Sequence, residues 1–152
     1  MKTIGFVNGC FDLFHAGHQL MLCDALAKCD HLIIAINSDE SVERLKGPTR
    51  PVNDWWKRAE DITRYLDIVR AGTDKTFGII SFEGQEDPLL MNIRPHRLFK
   101  GYDHSSCKIM YRRIGWKQKD GPIFEGPEII KLPHLPGVST TAIIAESENA
   151  KA

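Results

Sequence analysis

The sequence predicts an α/β fold in which one domain is built on a doubly wound, mostly parallel, Rossmann-like sheet, and three observations carry that prediction. Short, nearly continuous apolar runs rich in β-formers recur along the chain. A stretch with helical spacing separates the first two. The first run ends in a polar, glycine-containing segment, NGCFDLFHAGH (Asn8 to His18), which leads directly into that helix.

The elements follow in order. TIGFV (Thr3 to Val7) and HLIIAI (His31 to Ile36) read as strands covered on both faces by helices. Between them HQLMLCDALAKC sets Leu20, Met21, Ala25 and Leu26 at helical spacing, so the unit is βαβ and its strands are parallel. Asn37 to Asn53 carries a short helical turn and then Gly47, Pro48 and Pro51, a loop signature. DWWKRAEDITRYL (Asp54 to Leu66) is a helix with Asp54 as its N-cap. A further βαβ-like passage joins GIISF (Gly78 to Phe82), a helical DPLLMNI (Asp87 to Ile93) and the strand RLFKG (Arg97 to Gly101). His104 to Pro127 has no clear period. EIIKLP (Glu128 to Pro133) reads as a last strand, and GVSTTAIIAES (Gly137 to Ser147) as a loop feeding a final helix. Nothing repeats internally, and one domain is expected over residues 1–152.

Composition narrows the function classes. Twenty basic and twenty acidic residues balance to zero formal charge, so no global field draws the chain to nucleic acid or to an anionic membrane. Any anion site must be local. Cys10, Cys23, Cys29 and Cys107 form no CxxC pair, and the N-terminus has no signal pattern, which reads as reduced thiols in a cytoplasmic protein. No apolar run is long enough to span a bilayer.

In such sheets ligands lie beyond the carboxyl ends of the strands, where NGCFDLFHAGH falls. Gly9 would permit a tight turn after the first strand. Gly17 would leave the backbone open at a helix N-terminus, whose N–H groups and dipole favour an anion that His15 and His18 would flank. Zinc is the competing use of paired histidines, but neither an HExxH pattern nor a third ligand at sensible spacing is present. Cys10 is expected to matter through its backbone rather than its sulfur. Alone, Lys46 would read as a solvated charge and Ser139-Thr140-Thr141 as a plain N-cap. Trp55 and Trp56 either cover an apolar groove or subunit contact, or sit one in the core and one half exposed; homodimerisation is left open.

GCFDLFHAGH resembles the G-x-F-D-x-x-H-x-G-H signature of the cytidylyltransferase-like nucleotidyltransferases. NSDESVERLKGPTRPVN resembles the second motif of the heptose 1-phosphate adenylyltransferase branch, and GVSTTAII the family's C-terminal G-x-S-T-T motif. RYLDIV (Arg64 to Val69) is similar to glycerol-3-phosphate cytidylyltransferases. Two positions depart from these patterns: Tyr102 stands where the heptose branch has a second glycine, and His134 where the glycerol-phosphate branch has an arginine.

The resemblance implies transfer of a nucleoside monophosphate from ATP or CTP to a phosphorylated sugar or polyol, with release of pyrophosphate. It implies His15, His18 and Lys46 as the catalytic set. Gly9, Cys10, Phe11, Gly17, Lys100, Gly101, Gly137, Ser139, Thr140 and Thr141 would bind the nucleotide, and Asp12, Asp39, Arg64 and Asp103 would border the acceptor. Asp12 would hold its loop's shape more than react. Magnesium would be carried by the nucleotide, with no protein cage. NGCFD, HAGH and RLKGPTRPVN resemble the adenylyl-transferring heptose branch and lean to ATP, whereas RYLDIV leans to CTP. The alternatives are a glycerol-3-phosphate cytidylyltransferase, a relative acting on a flavin or pantetheine phosphate, and a nucleotide-binding module without catalysis. A tRNA-synthetase fragment lacks the length and a basic surface, and a dehydrogenase lacks GxGxxG after the first strand.

Overall fold

The computed structural model describes residues 1–84, 87–101, 127–132 and 140–151. Along the chain it runs β1 (Ile4–Gly9), α1 (Ala16–Ala27), β2 (His31–Asn37), α2 (Asp39–Lys46), α3 (Trp55–Val69), β3 (Thr76–Phe82), α4 (Asp87–Ile93), β4 (Arg97–Lys100), β5 (Glu128–Lys131) and α5 (Thr140–Lys151). The five strands form one sheet in the order β3-β2-β1-β4-β5, and every pairing is parallel. The predicted "mostly parallel" sheet is wholly parallel among the described residues.

The register explains why the strands read as unbroken apolar runs. Phe6 stands opposite Ile33 on β2 and Leu98 on β4, and Val7 stands opposite Ile34. Phe6, Ala35, Leu98 and Phe82 pack with Leu90 of α4 on one face. Val7, Ile34, Ile36 and Phe99 pack with Leu22 and Leu26 of α1 and with Ile62 and Leu66 of α3 on the other. Helices thus cover both faces, and each large side chain so buried stabilises the fold by about 1.5–3 kcal/mol. Gly5 sits at the centre of this packing. A Cβ there would lie 2.5 Å from the Phe99 ring and 2.9 Å from the Cys29 sulfur.

Boundaries moved for identifiable reasons. α1 begins at Ala16 rather than His18, because His15 is its N-cap and histidine is not among the residues usually read as one. Asp54 caps α3 as predicted, its carboxylate accepting from Lys57 N at 2.8 Å, but the helix continues to Val69. Lys46 is the last residue of α2 rather than part of a loop; the loop begins at Gly47, whose φ of 106° is open to glycine. The expected features in His104 to Gly126, and Gly137 to Ser139, lie outside the described residues. No helix among the described residues is long and apolar enough to cross a membrane.

Candidate active site

β1 is flanked by β2 on one side and β4 on the other, and the chain reaches them by crossovers on opposite faces. The carboxyl ends of β1 and β4 therefore border the crevice where doubly wound sheets take ligands. Lys100 closes β4 at this edge, buried, its Nζ donating to Asn8 Oδ1 at 2.9 Å, with Gly101 next to it. Cys10 to His15 leave β1 at the same edge and lead into α1.

That connection is held in an unusual backbone conformation. The left-handed residues are Phe11 (φ 52°) and Leu13 (φ 48°), neither of them glycine, at a cost on the order of 1–3 kcal/mol each. Gly9 lies close under the Phe11 ring: a Cβ there would be 3.1 Å from it. Between the two strained residues the buried Asp12 carboxylate accepts from Arg50 Nε at 2.8 Å, from Val52 N at 3.0 Å and from Asn53 N at 3.1 Å. Burial alone would raise its pKa. The bonds from Val52, Arg50 and Asn53 outweigh that and hold it below the usual carboxylate value. Asp12 is a structural clasp between the first loop and residues 50–53.

The two histidines cap the helix reciprocally. His15 Nδ1 accepts from Gly17 N at 3.1 Å and His18 N at 3.3 Å, while His18 Nδ1 accepts from His15 N at 3.4 Å. The rings stack with centroids 3.7 Å apart. Phe11 meets the His18 ring edge-on and Phe14 stacks beside it; Tyr65 of α3 packs against Phe14. This corrects one expectation. The N–H groups of Gly17 and His18 are taken by the His15 ring, and Gln19 N by His15 O, so they are not open to an anion. What the helix start offers instead is the far side of each imidazole. Because both Nδ1 atoms accept, the proton of each neutral ring belongs on Nε2. Burial, helped by the neighbouring His15 and opposed by Asp12, pushes His18 down to about 3, and burial lowers His15 as well. The pair is neutral at physiological pH and can donate two hydrogen bonds.

Arg58 organises the rest, and sequence reasoning missed it. Fully buried, it donates from Nη1 to Cys10 O at 2.7 Å, from Nε to Asn53 O at 3.1 Å, and from Nη2 to Asp39 Oδ1 at 2.7 Å. One guanidinium so joins α3, the first loop, the loop before α3 and the start of α2. Its signal was its helical phase, since it lies with Ala59, Ile62 and Leu66 on the buried face. Asp39 is engaged by this contact. The Cys10 thiol donates to Asn37 Oδ1 at 3.7 Å, and burial raises its pKa despite the nearby cations Lys46, Arg58 and Arg50. The Cys10 carbonyl takes the Arg58 bond, and burial favours the thiol form of its half-buried sulfur. Lys46 is exposed at the end of α2.

Among the described residues, Arg64 does not join the cluster. Arg64 lies on the exposed side of α3, its Nη2 donating to Glu60 at 2.7 Å, six residues and about 9 Å along the axis from Arg58. Thr140 and Thr141 open α5. Gly137, Ser139 and Asp103 lie outside the described residues. Trp55 packs against the core and donates from Nε1 to Ile36 O at 3.3 Å, whereas Trp56 is 77% exposed.

Comparison with known proteins identifies the family and the fold. The family model described as cytidylyltransferase-like matches residues 6–146. Similar curated relatives include the "Bifunctional protein HldE" of Hyphomonas neptunium, 41% identical over 97% of this chain and 28% of the relative. The protein of the same name from Rhodopseudomonas palustris (strain BisB18) is 39% identical over 98% of this chain and 28% of the relative. The chain thus spans little more than a quarter of the length of these relatives. Among solved structures, a lipopolysaccharide core biosynthesis protein from Thermoplasma volcanium shares the fold with a TM-score of 0.64 at 17% identity, covering 89% of this chain and 99% of that one. A pantoate-beta-alanine ligase from Francisella tularensis does so at 0.55 and 15%, covering 99% of this chain and 71% of that one. With its signature residues at the carboxyl edge of a parallel sheet and the model matched over nearly its whole length, the chain belongs to the cytidylyltransferase-like family of nucleotidyltransferases.

Proposed function

We propose that the chain transfers AMP from ATP to a phosphorylated sugar of the heptose 1-phosphate kind, releasing pyrophosphate, in the cytoplasm. The observation that carries the reading is the paired, neutral His15 and His18 at the β1/β4 crevice. Identity to the HldE relatives over almost the whole chain supports the adenylyl and heptose assignment. In this reaction a phosphate oxygen of the acceptor attacks the α-phosphorus of the triphosphate. That oxygen is already ionised, so no general base is required, and the protein's task is to position the reactants and stabilise shifting charge.

Two Nε2–H donors suit that task. They hydrogen-bond to phosphate oxygens as negative charge moves toward the leaving pyrophosphate, and as neutral rings they are too weakly acidic to surrender the Nε2 proton to it. Lys46 adds a mobile positive charge from the end of α2. Magnesium would supply charge neutralisation, brought in on the triphosphate. Of the described carboxylates beside the loop, Asp12 is bonded to Arg50, Val52 and Asn53, and Asp39 to Arg58. The cytidylyl alternative leaned on RYLDIV, whose Arg64 is engaged with Glu60. A pyrophosphate-release screen of ATP and CTP against sugar and polyol phosphates tests the proposal. Release with ATP and a sugar 1-phosphate is expected; turnover with CTP and glycerol 3-phosphate alone would replace it with the polyol reading.

A further inference from the structure

We propose that His15 and His18 are positioning residues for one another, each helping to fix the tautomer of its neighbour, so that the site presents two neutral Nε2–H donors only while the reciprocal cap is intact. The inference deepens the nucleotidyltransfer reading and rests on it for its activity arm alone.

Three features of the geometry lead here. Each Nδ1 faces a backbone N–H, which can only donate, so each Nδ1 must be an unprotonated acceptor. The backbone N–H that serves His18 belongs to residue 15, and its direction depends on the extended conformation of that residue (φ −131°, ψ 174°). This conformation is stabilised in turn by the His15 side chain bonding Gly17 N and His18 N. Truncating the His15 ring therefore loosens the donor that holds the tautomer of His18, although the two side chains share no direct hydrogen bond. The aromatic walls restrict the alternative: with Phe11 at its edge, Phe14 beside it and His15 stacked upon it, the His18 ring has little freedom to turn. The groups that influence the protonation of His18 are Asp12 and His15; on the α3 side Tyr65 stands behind Phe14. A second consequence concerns strength. A ring that accepts from helix N–H groups at Nδ1 is polarised toward donation at Nε2, so the His15 ring carries the donor character of the α1 N-terminus outward to the crevice.

The test separates capping from donation by using asparagine, a good N-cap that lacks the imidazole. Imidazole nitrogen spectra of the full chain, by proton–nitrogen NMR, are recorded for the wild type, His15→Ala and His15→Asn. In the wild type both rings are expected as the Nε2–H tautomer near neutral pH. In His15→Ala, His18 becomes a mixture of tautomers; in His15→Asn it returns to Nε2–H, and turnover is about tenfold above that of His15→Ala, the magnitude of a restored cap. A protonated Nδ1 on either wild-type ring overturns the proposal, as does a His18 tautomer that His15→Ala leaves unchanged. Should His15→Ala fail to fold, titration of the wild type decides, since an unprotonated Nδ1 on His18 down to pH 5 supports the lock and a protonated one overturns it. The nitrogen spectra need no substrate. Expected tautomers without nucleotidyl transfer would remove the functional reading and leave the lock standing.

Discussion

Replacing Asp12 by asparagine removes one charge from a buried clasp while keeping its shape. In the wild type Oδ2 accepts from Arg50 Nε and Val52 N, and Oδ1 from Val52 N and Asn53 N. An amide has one oxygen, so it can serve Arg50 or Asn53 but not both, and its NH2 group must then face a donor. Hydrogen bonds to a charged group contribute about 1.5–3 kcal/mol each, and removing one partner of a buried ion pair costs about 3–5 kcal/mol. Arg50 keeps slight solvent contact, which puts the expected loss at the lower end, about 3 kcal/mol. For a chain of this size that is a drop in melting temperature of roughly 6–12 °C. The sign of the pH dependence follows from the direction of the shift. A carboxyl whose folded pKa lies below its ordinary 3.8 stabilises the fold above that pH and ceases to as pH falls through the folded value. Urea denaturation of Asp12→Asn and wild type at pH 7 and again near pH 3 measures both halves, and amide exchange at Val52 and Asn53 locates the effect. A gap under about 0.5 kcal/mol at pH 7, or a gap that persists undiminished in acid, refutes the clasp.

Four further outcomes are expected. His18→Ala lowers turnover by about a hundredfold or more, on the order of 3 kcal/mol, with the far-ultraviolet circular dichroism unchanged; steady-state pyrophosphate release measures it. Lys46→Ala raises the triphosphate KM and lowers kcat together, since a cation that both binds and closes acts in ground and transition states. Because the folded pKa of His18 is lowered from 6.5 to about 3, its neutral ring binds fewer protons than the unfolded chain, so stability declines as pH drops below 6.5. Denaturation midpoints from pH 7.5 to 4.5 should show a shallower decline in His18→Gln. Gly5→Ala, whose new methyl meets Phe99 and Cys29 in the middle of the sheet, costs about 1–3 kcal/mol in a chemical melt; an unchanged midpoint would mean that the packing relaxes freely.

Much of the architecture was legible because parallel strands covered on both faces leave an unmistakable record. HLIIAI has no polar alternation to confuse it, and the spacing of Leu20, Met21, Ala25 and Leu26 marked a helix, although its buried face runs through Leu22, Ala25 and Leu26 and leaves Leu20 exposed. The place of His15 and His18 followed from the sheet rule alone. What was hidden depends on contacts between segments far apart in sequence. Arg58 looked like one more charge in a charged helix, and only folding brings Cys10 O and Asp39 to it. The closeness of Gly9 to the Phe11 ring could not be read either, because Phe11 adopts a left-handed conformation that no local pattern announces. That His15 and His18 could cap a helix was open to the sequence; the reciprocal form of the cap, with each Nδ1 accepting from a backbone N–H, was not.

The clasp at Asp12 also limits how this site can close. Lys46 ends a helix, and Arg50, Val52 and Asn53 are tied to one carboxylate, so only Gly47, Pro48 and Thr49 connect two anchored points. Three residues reach about 10 Å when fully stretched, and Pro48 removes part of even that freedom. Such a tether cannot sweep across a bound triphosphate as a lid does. Closure is left to the swing of the Lys46 side chain and a small tilt of the last turn of α2 about Gly47. A lengthened tether would therefore change the reach of the lysine without disturbing the histidines.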